Sequence, residues 1–424
     1  MRIAITIAAL LLAPALADAQ TIAITGAKIY PVSGPVIDRG TVLIRDGKIA
    51  AVGADVAIPS DAQRIDAAGK VVTPGLVNGA TTLGVQEIGA VRTTVETRAR
   101  GRDQVAAAFS VWDGFNPASV LLQGARNGGV TSVLIAPSGG LISGQAAMVH
   151  LVDGDLRDML LRTPVGMVAT IGNAQAAAAG SRGEVLLRLR EILEDARAYR
   201  TRRADYERAQ TRPFAASRLD LEALQPVLAG TEPLVIDVNK ASDIEAALEL
   251  GRRYNLRLIV AGGAEAWMVA DKLAAAKVPV LTGAMNNIPE AFAQLGQRQE
   301  NAGLLAKAGV PVVIVGNAGG GDEEAFNVRN VRFEAGNAVA YGMDATAALR
   351  AITLTPAEVF GVSDRVGSLA PGKDADVVVW SGDPFEFATQ PEHVLIGGRD
   401  AMARSRQDLL EQRYKSLPPT YRRP

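Results

Sequence analysis

Between residues 71 and 315 one pattern recurs: a short continuous run of Val, Ile and Leu, then a longer Ala- and Leu-rich stretch with helical spacing. The apolar runs are 71–77, 130–136, 165–171, 234–238, 256–261, 278–282 and 310–315, with helical stretches at 241–250, 264–275 and 297–308. A strand that is apolar at successive positions is buried on both faces, as in a parallel sheet covered by helices. The alternation predicts an α/β fold, a (β/α)8 TIM-like barrel whose eighth strand is not identifiable in the sequence. An open doubly wound sheet is the structural alternative, but no G-x-G-x-x-G follows the first run.

Shorter β-rich runs lie at both ends of this repeat. Ile22–Ile24, Lys28–Tyr30, Thr41–Ile44 and Lys48–Val52 precede it, with Asp46-Gly47 placed as a two-residue hairpin turn. Ala375–Trp380 and His393–Gly398 follow it. The two sets predict a small β-sandwich assembled from both termini. The expected organisation is a signal peptide at 1–19, sandwich at 20–73, barrel at 74–365, and the rest of the sandwich with a tail at 366–424.

The signal peptide rests on Arg2, an apolar stretch from Ile3 to Leu16, and Ala17-Asp18-Ala19 before Gln20. That apolar stretch is too short to span a bilayer as a helix, so the expectation is an exported, periplasmic protein without a membrane span. The 44 Lys and Arg are balanced by 45 Asp and Glu, which argues against a nucleic-acid partner. Residues 184–211 interleave acidic and basic side chains on a helical pattern, and the stretches Glu191 to Asp195 and Arg197 to Arg203 have scope for several i,i+4 pairs. They read as a solvated helix or helical hairpin outside the barrel.

Two further motifs carry a family resemblance. One is Lys70-Val-Val-Thr-Pro-Gly-Leu-Val-Asn78, preceded by Asp46-Gly-Lys-Ile49. The other is Leu354-Thr-Pro-Ala-Glu-Val-Phe-Gly361, followed by Val366-Gly-Ser-Leu-Ala-Pro-Gly-Lys-Asp-Ala-Asp-Val-Val-Val379. With Gly128–Val133 and Ile142-Ser-Gly-Gln145, they resemble the amidohydrolase superfamily, in particular a secreted branch similar to imidazolonepropionase. The resemblance runs through nearly the whole mature chain. It implies a barrel whose strand ends hold metal ligands and an acid for metal-assisted hydrolysis.

The residues at those positions do not match that chemistry. Where the resemblance implies a His-x-His pair after the first barrel strand, the chain has Ala80 and Thr82. A further ligand histidine is replaced by Asp237, the strand ending at Ala261 offers only Gly262-Gly263, and Asn317 stands where the catalytic aspartate is implied. The chain has two histidines, His150 and His393, and no cysteine, so a multi-histidine or thiolate zinc centre cannot be assembled. Both histidines read as structural or surface residues. Polar residues expected near the mouth are Glu87, Asp237, Asn239, Lys240, Asn317 and Asp322. Asp237, Asn317 and Glu87 are the catalytic candidates; Asn239, Lys240 and Asp322 are the ligand-binding ones. An Asp237–Glu87 carboxylate pair is one expectation, with a hard cation such as Mg²⁺ or Ca²⁺ as the alternative to no cofactor. Pairing of Asp237 with Lys240 or an arginine is the plainer one.

The reading that follows is an exported amidohydrolase-like protein without the His-x-His metal site. It binds a small molecule or serves as a subunit in a homo-oligomer or with an active paralogue. The alternative is a hydrolase of C–N bonds in cyclic amides or peptide-like substrates, acting through an unconventional site.

Overall fold

A computed structural model describes residues 21–99, 101, 103–172, 180–285, 288–289, 291–316 and 323–415. The signal-peptide segment, Asn317 and Asp322 lie outside the described residues. Sixteen strands, β1 to β16, form two sheets among them.

The first sheet combines β1 (Thr21–Ile29), β2 (Ile37–Arg45), β3 (Lys48–Gly53), β4 (Gln63–Asp66) and β5 (Val71–Pro74) with β14 (Val377–Trp380), β15 (Pro391–Ile396) and β16 (Arg399–Asp400). Its order is β16-β15-β14-β5-β1-β2-β3, with β4 also on β1. The strands of both termini thus join in one hydrogen-bonded sheet domain. Asp46 and Gly47 turn β2 into β3 with φ of 52° and 73°, the left-handed pair that a tight hairpin requires. Ile24, Ile29, Val42, Ile44, Val377 and Val379 form its core.

Gly75 is the hinge between the sheets: β5 pairs with β14, and β6 (Leu76–Thr81) begins the barrel. The barrel continues with β7 (Val130–Ile135), β8 (Ile142–His150), β9 (Leu160–Thr170), β10 (Leu234–Val238), β11 (Leu258–Gly262), β12 (Val280–Thr282) and β13 (Val312–Ile314), neighbours in that order. Gly79 lets β6 and β13 approach, because a Cβ there would fall 2.4 Å from the Val313 side chain. The barrel is nearly closed, as the repeat predicted.

One strand differs from the all-parallel expectation. The unrecognised eighth strand is β8, which runs antiparallel to both β7 and β9. It carries Gly144 and Gln145 among its apolar residues and is joined to β7 by a short connection, so no helix announces it. Its direction carries His150 away from the barrel mouth. There His150, 2% exposed, places Nε2 2.9 Å from both carboxylate oxygens of Asp376, just before β14. That buried pair joins barrel to terminal sheet, while His393 meets Asp400 at the surface.

Val77, Leu134, Met148, Val165, Val235, Ile259, Leu281 and Val313 fill the barrel interior. The helix Leu354–Val359 and the following Phe360 pack under them. A second core lies between the strands and the outer helices, including Leu189, Ile192, Leu221 and Ile244. The charged segment forms helices Arg182–Thr201 and Arg203–Glu207. Arg203 pairs with Glu207 on the surface, but Asp195 turns inward, fully buried, and accepts from Arg212 and from the Ala215 amide.

Candidate active site

Strand pleating determines what the barrel presents at its C-terminal end. On β10, Val235 faces the interior, so Asp237, two residues on, projects to the same side one layer higher. Asp237 sits in register with Thr170 of β9 and Ala261 of β11. Its side chain is water-accessible, yet the surrounding protein pushes its carboxyl up to about 6 through loss of solvation. No hydrogen bond or ion pair ties down this side chain among the described residues.

The group facing Asp237 comes from the other side of the mouth. After β13 the chain returns in the short helix Glu323–Phe326, and the Glu324 carbonyl accepts a bond from the Thr82 amide at 3.4 Å. This places the half-buried Glu324 over the end of β6. Burial and the negative charge of Asp237 push Glu324 up to about 7. The two carboxyl groups form one coupled acidic site, in which the first proton lost leaves the second harder to remove.

A cavity of about 700 Å³ opens beside Glu324, lined by it with Thr82, Gln86, Arg92, Thr97, Arg98, Gln104 and Ser138. Arg98 donates to Ser138 at 3.4 Å, and its other N–H groups have no hydrogen-bond partner among the described residues. The cavity therefore has an acidic edge and a cationic wall. Thr82 is 6% exposed, and its hydroxyl has no hydrogen-bond partner among the described residues.

The other sequence candidates separate. Glu87 does not form the expected pair with Asp237; it accepts from the Asn116 amide at 3.2 Å and is not part of the cavity lining. The loop carrying it turns back, with Thr94 bonded to Glu87 and Ile88, which brings Gln86 rather than Glu87 to the mouth. Asn239 braces the turn after β11, its side-chain oxygen accepting from the Ala264 amide at 3.2 Å. Lys240 precedes the helix Ala241–Tyr254 and makes no ion pair with Asp237. The residue missed in the sequence is Glu324, in an acidic run after Gly319-Gly-Gly321.

These donors do not fit a zinc centre of the kind the family resemblance implies. Alanine at 80 has no donor atom, the Thr82 hydroxyl is neutral, and β11 ends in Ala261 and Gly262. Among the described residues no three His, Cys, Asp or Glu side chains converge on a common point, whereas structural and catalytic zinc sites take three or four protein ligands.

Comparison with known proteins identifies the scaffold. Residues 228–401 match the model of the amidohydrolase family. Those residues carry an amidohydrolase family domain. It is similar to the amidohydrolase tasK of Hapsidospora irregularis, with 27% identity over 393 residues. That match covers 85% of this chain but 39% of tasK, so the chain spans about two fifths of that relative's length. A 46-residue stretch is 50% identical to the urease α subunit of Staphylococcus aureus, covering 11% of this chain and 8% of that subunit. Among solved structures, an amidohydrolase from Thermotoga maritima MSB8 superposes with a TM-score of 0.81 and 26% identity, over 90% of this chain and all of that one. Molinate hydrolase shares the fold at a TM-score of 0.55 and 21% identity, covering 95% and 99% of the two chains.

Proposed function

We propose that this chain is an exported, ligand-binding amidohydrolase-family protein that does not work through a zinc-activated water. The observation that carries the reading is Glu324, which lines one cavity with Arg92 and Arg98 and is close enough to Asp237 to feel its charge. A small molecule with both charges matches that arrangement: its ammonium meets the carboxylates and its carboxylate meets the guanidinium groups, which favour bidentate carboxylate contacts. A dipeptide has this form and suits the cavity's size.

The test is calorimetric titration of the metal-analysed protein with Ala-Ala. The expected result is saturable binding that weakens at least tenfold in Asp237→Asn and in Arg98→Ala, on a protein with zinc well below one equivalent. Stoichiometric zinc after purification without added metal, or binding unaffected by both substitutions, overturns the reading.

The same carboxylates favour one other reading, metal-free hydrolysis. Two acidic groups with separated proton affinities can act as general base and general acid near neutral pH. In that case Ala-Ala or a cyclic amide such as hydantoin is turned over by the protein, with a pH profile that changes in Glu324→Gln. No turnover above buffer between pH 5 and 8 removes this alternative.

A further inference from the structure

The opposite end of the barrel holds a second carboxylate with nothing to bind. Glu232 lies two residues before β10, its backbone N–H bonded to the Pro226 carbonyl at 3.2 Å. The residue is 5% exposed, and neither side-chain oxygen has a hydrogen-bond partner among the described residues. Buried polar atoms are nearly always paired, and an isolated carboxylate is among the costliest groups to leave unpaired. Both oxygens of one buried side chain lacking partners therefore need a reason.

Glu232 lines a cavity of about 280 Å³ whose other walls include Val165, Pro233 and Phe360. At about 30 Å³ of liquid volume per water, that space suits a molecule of about nine heavy atoms. Two arginines stand at its rim. Arg162 is held by a 3.1 Å bond to the Gly361 carbonyl, and Arg257 leans on the Thr231 carbonyl at 3.5 Å. Each uses one contact, leaving further N–H donors for an anion. The cavity thus has apolar sides and a positive rim, with the Glu232 carboxylate just beneath its surface, where a turn of the side chain would bring it to a ligand.

We propose that this cavity is a second binding site, distinct from the barrel mouth, for a small aliphatic amino acid whose ammonium pairs with Glu232 and whose carboxylate meets Arg162 and Arg257. Leucine has the size and the charge order. Its ammonium supplies the donors that Glu232 lacks, and its side chain lies against Val165 and Phe360.

Binding has a proton linkage. Burial, partly opposed by the charge of Arg162, lifts Glu232 to about 7. Arg162 and Arg257 are the charged groups beside it in the cavity lining; Glu358 on the helix below is paired with Arg350. Below pH 7 the carboxylic acid releases its proton to solvent as the ammonium binds. Affinity therefore rises as pH increases from 5 to 7 and then levels off.

Titration calorimetry of the full mature chain at pH 8 tests the site with three probes: L-leucine, isoamylamine and 4-methylpentanoate. Leucine is expected to bind tightest, isoamylamine more weakly and 4-methylpentanoate least. Glu232→Gln, nearly isosteric, weakens leucine and isoamylamine at least tenfold. Arg162→Ala, at an exposed position, weakens leucine far more than isoamylamine, which has no carboxylate for it to hold. Asp237→Asn, which removes any leucine held at the mouth, leaves the binding that depends on Glu232 in place. The proposal is overturned if leucine does not bind, if Glu232→Gln binds it as the parent does, or if Asp237→Asn removes the binding.

Discussion

Replacing Glu232 by Gln stabilises the protein in alkaline solution and leaves it unchanged in acid. The carboxyl is raised from 4.5 to about 7, chiefly by burial. A raised carboxyl makes its full contribution to stability below the unfolded value of about 4.5, where it is protonated in both states. That contribution is lost as pH rises through 7. At 1.36 kcal/mol per unit, the shift corresponds to about 3 kcal/mol at pH 8. Water at the open rim of the cavity screens part of this, leaving about 1–2 kcal/mol. Gln resembles the protonated acid in shape and polarity, so the two proteins have equal stability at pH 4. The assay is urea unfolding of parent and variant, without added amino acid, at pH 4, 6 and 8. Their difference is expected to be near zero at pH 4 and to reach about 1–2 kcal/mol in favour of the variant at pH 8. A difference independent of pH would falsify the reasoning, because it would mean that Glu232 has a partner or stays in contact with solvent.

Two other perturbations probe the barrel and its mouth. His150→Ala leaves Asp376 buried with the Gly397 amide but without its imidazole, and should cost about 3 kcal/mol or more in chemical unfolding; a loss below about 1 kcal/mol contradicts a barrel-to-sheet link at this pair. Asp237→Asn removes the charge that opposes ionisation of Glu324, so the Glu324 titration followed by carboxyl NMR should move below about 7; an unmoved curve means that the two groups do not share a site.

The parts of the fold legible in the sequence are those that local pattern controls. Val71 to Ile314 alternates buried strands and helices because strands covered on both faces must be apolar throughout, and Asp46-Gly47 marks its hairpin because few other residue pairs adopt two left-handed conformations. β8 escaped because an antiparallel strand within the barrel needs no crossover helix. At the mouth, the orientation of Asp237 follows from its distance along β10. Glu324 does not: its place depends on the return of the chain over β6, and no spacing between residues 237 and 324 encodes that contact. Glu87 shows the converse, a plausible neighbour in sequence that a turn at Thr94 directs away. The unpartnered state of Glu232 was equally hidden, since burial at a strand entrance is a property of tertiary packing.

β10 carries an unpaired carboxylate at each end, Glu232 just before it and Asp237 within its last turn of pleat, about 17 Å apart for five residues of extended chain. Between them Val235 joins Ile259, Leu281 and Val313 in an apolar interior that does not admit charge. The barrel therefore rests on residues that take no part in either polar site. The strand interior fixes the fold, and the strand ends, where the mouth holds Ala80 and Thr82, are free to carry their own chemistry. The same separation makes the two ends independent. A ligand that satisfies Glu232 relieves a local cost at the base of the barrel, whereas one that bridges Asp237 and Arg98 acts across the mouth, so occupancy of either leaves the affinity of the other unchanged.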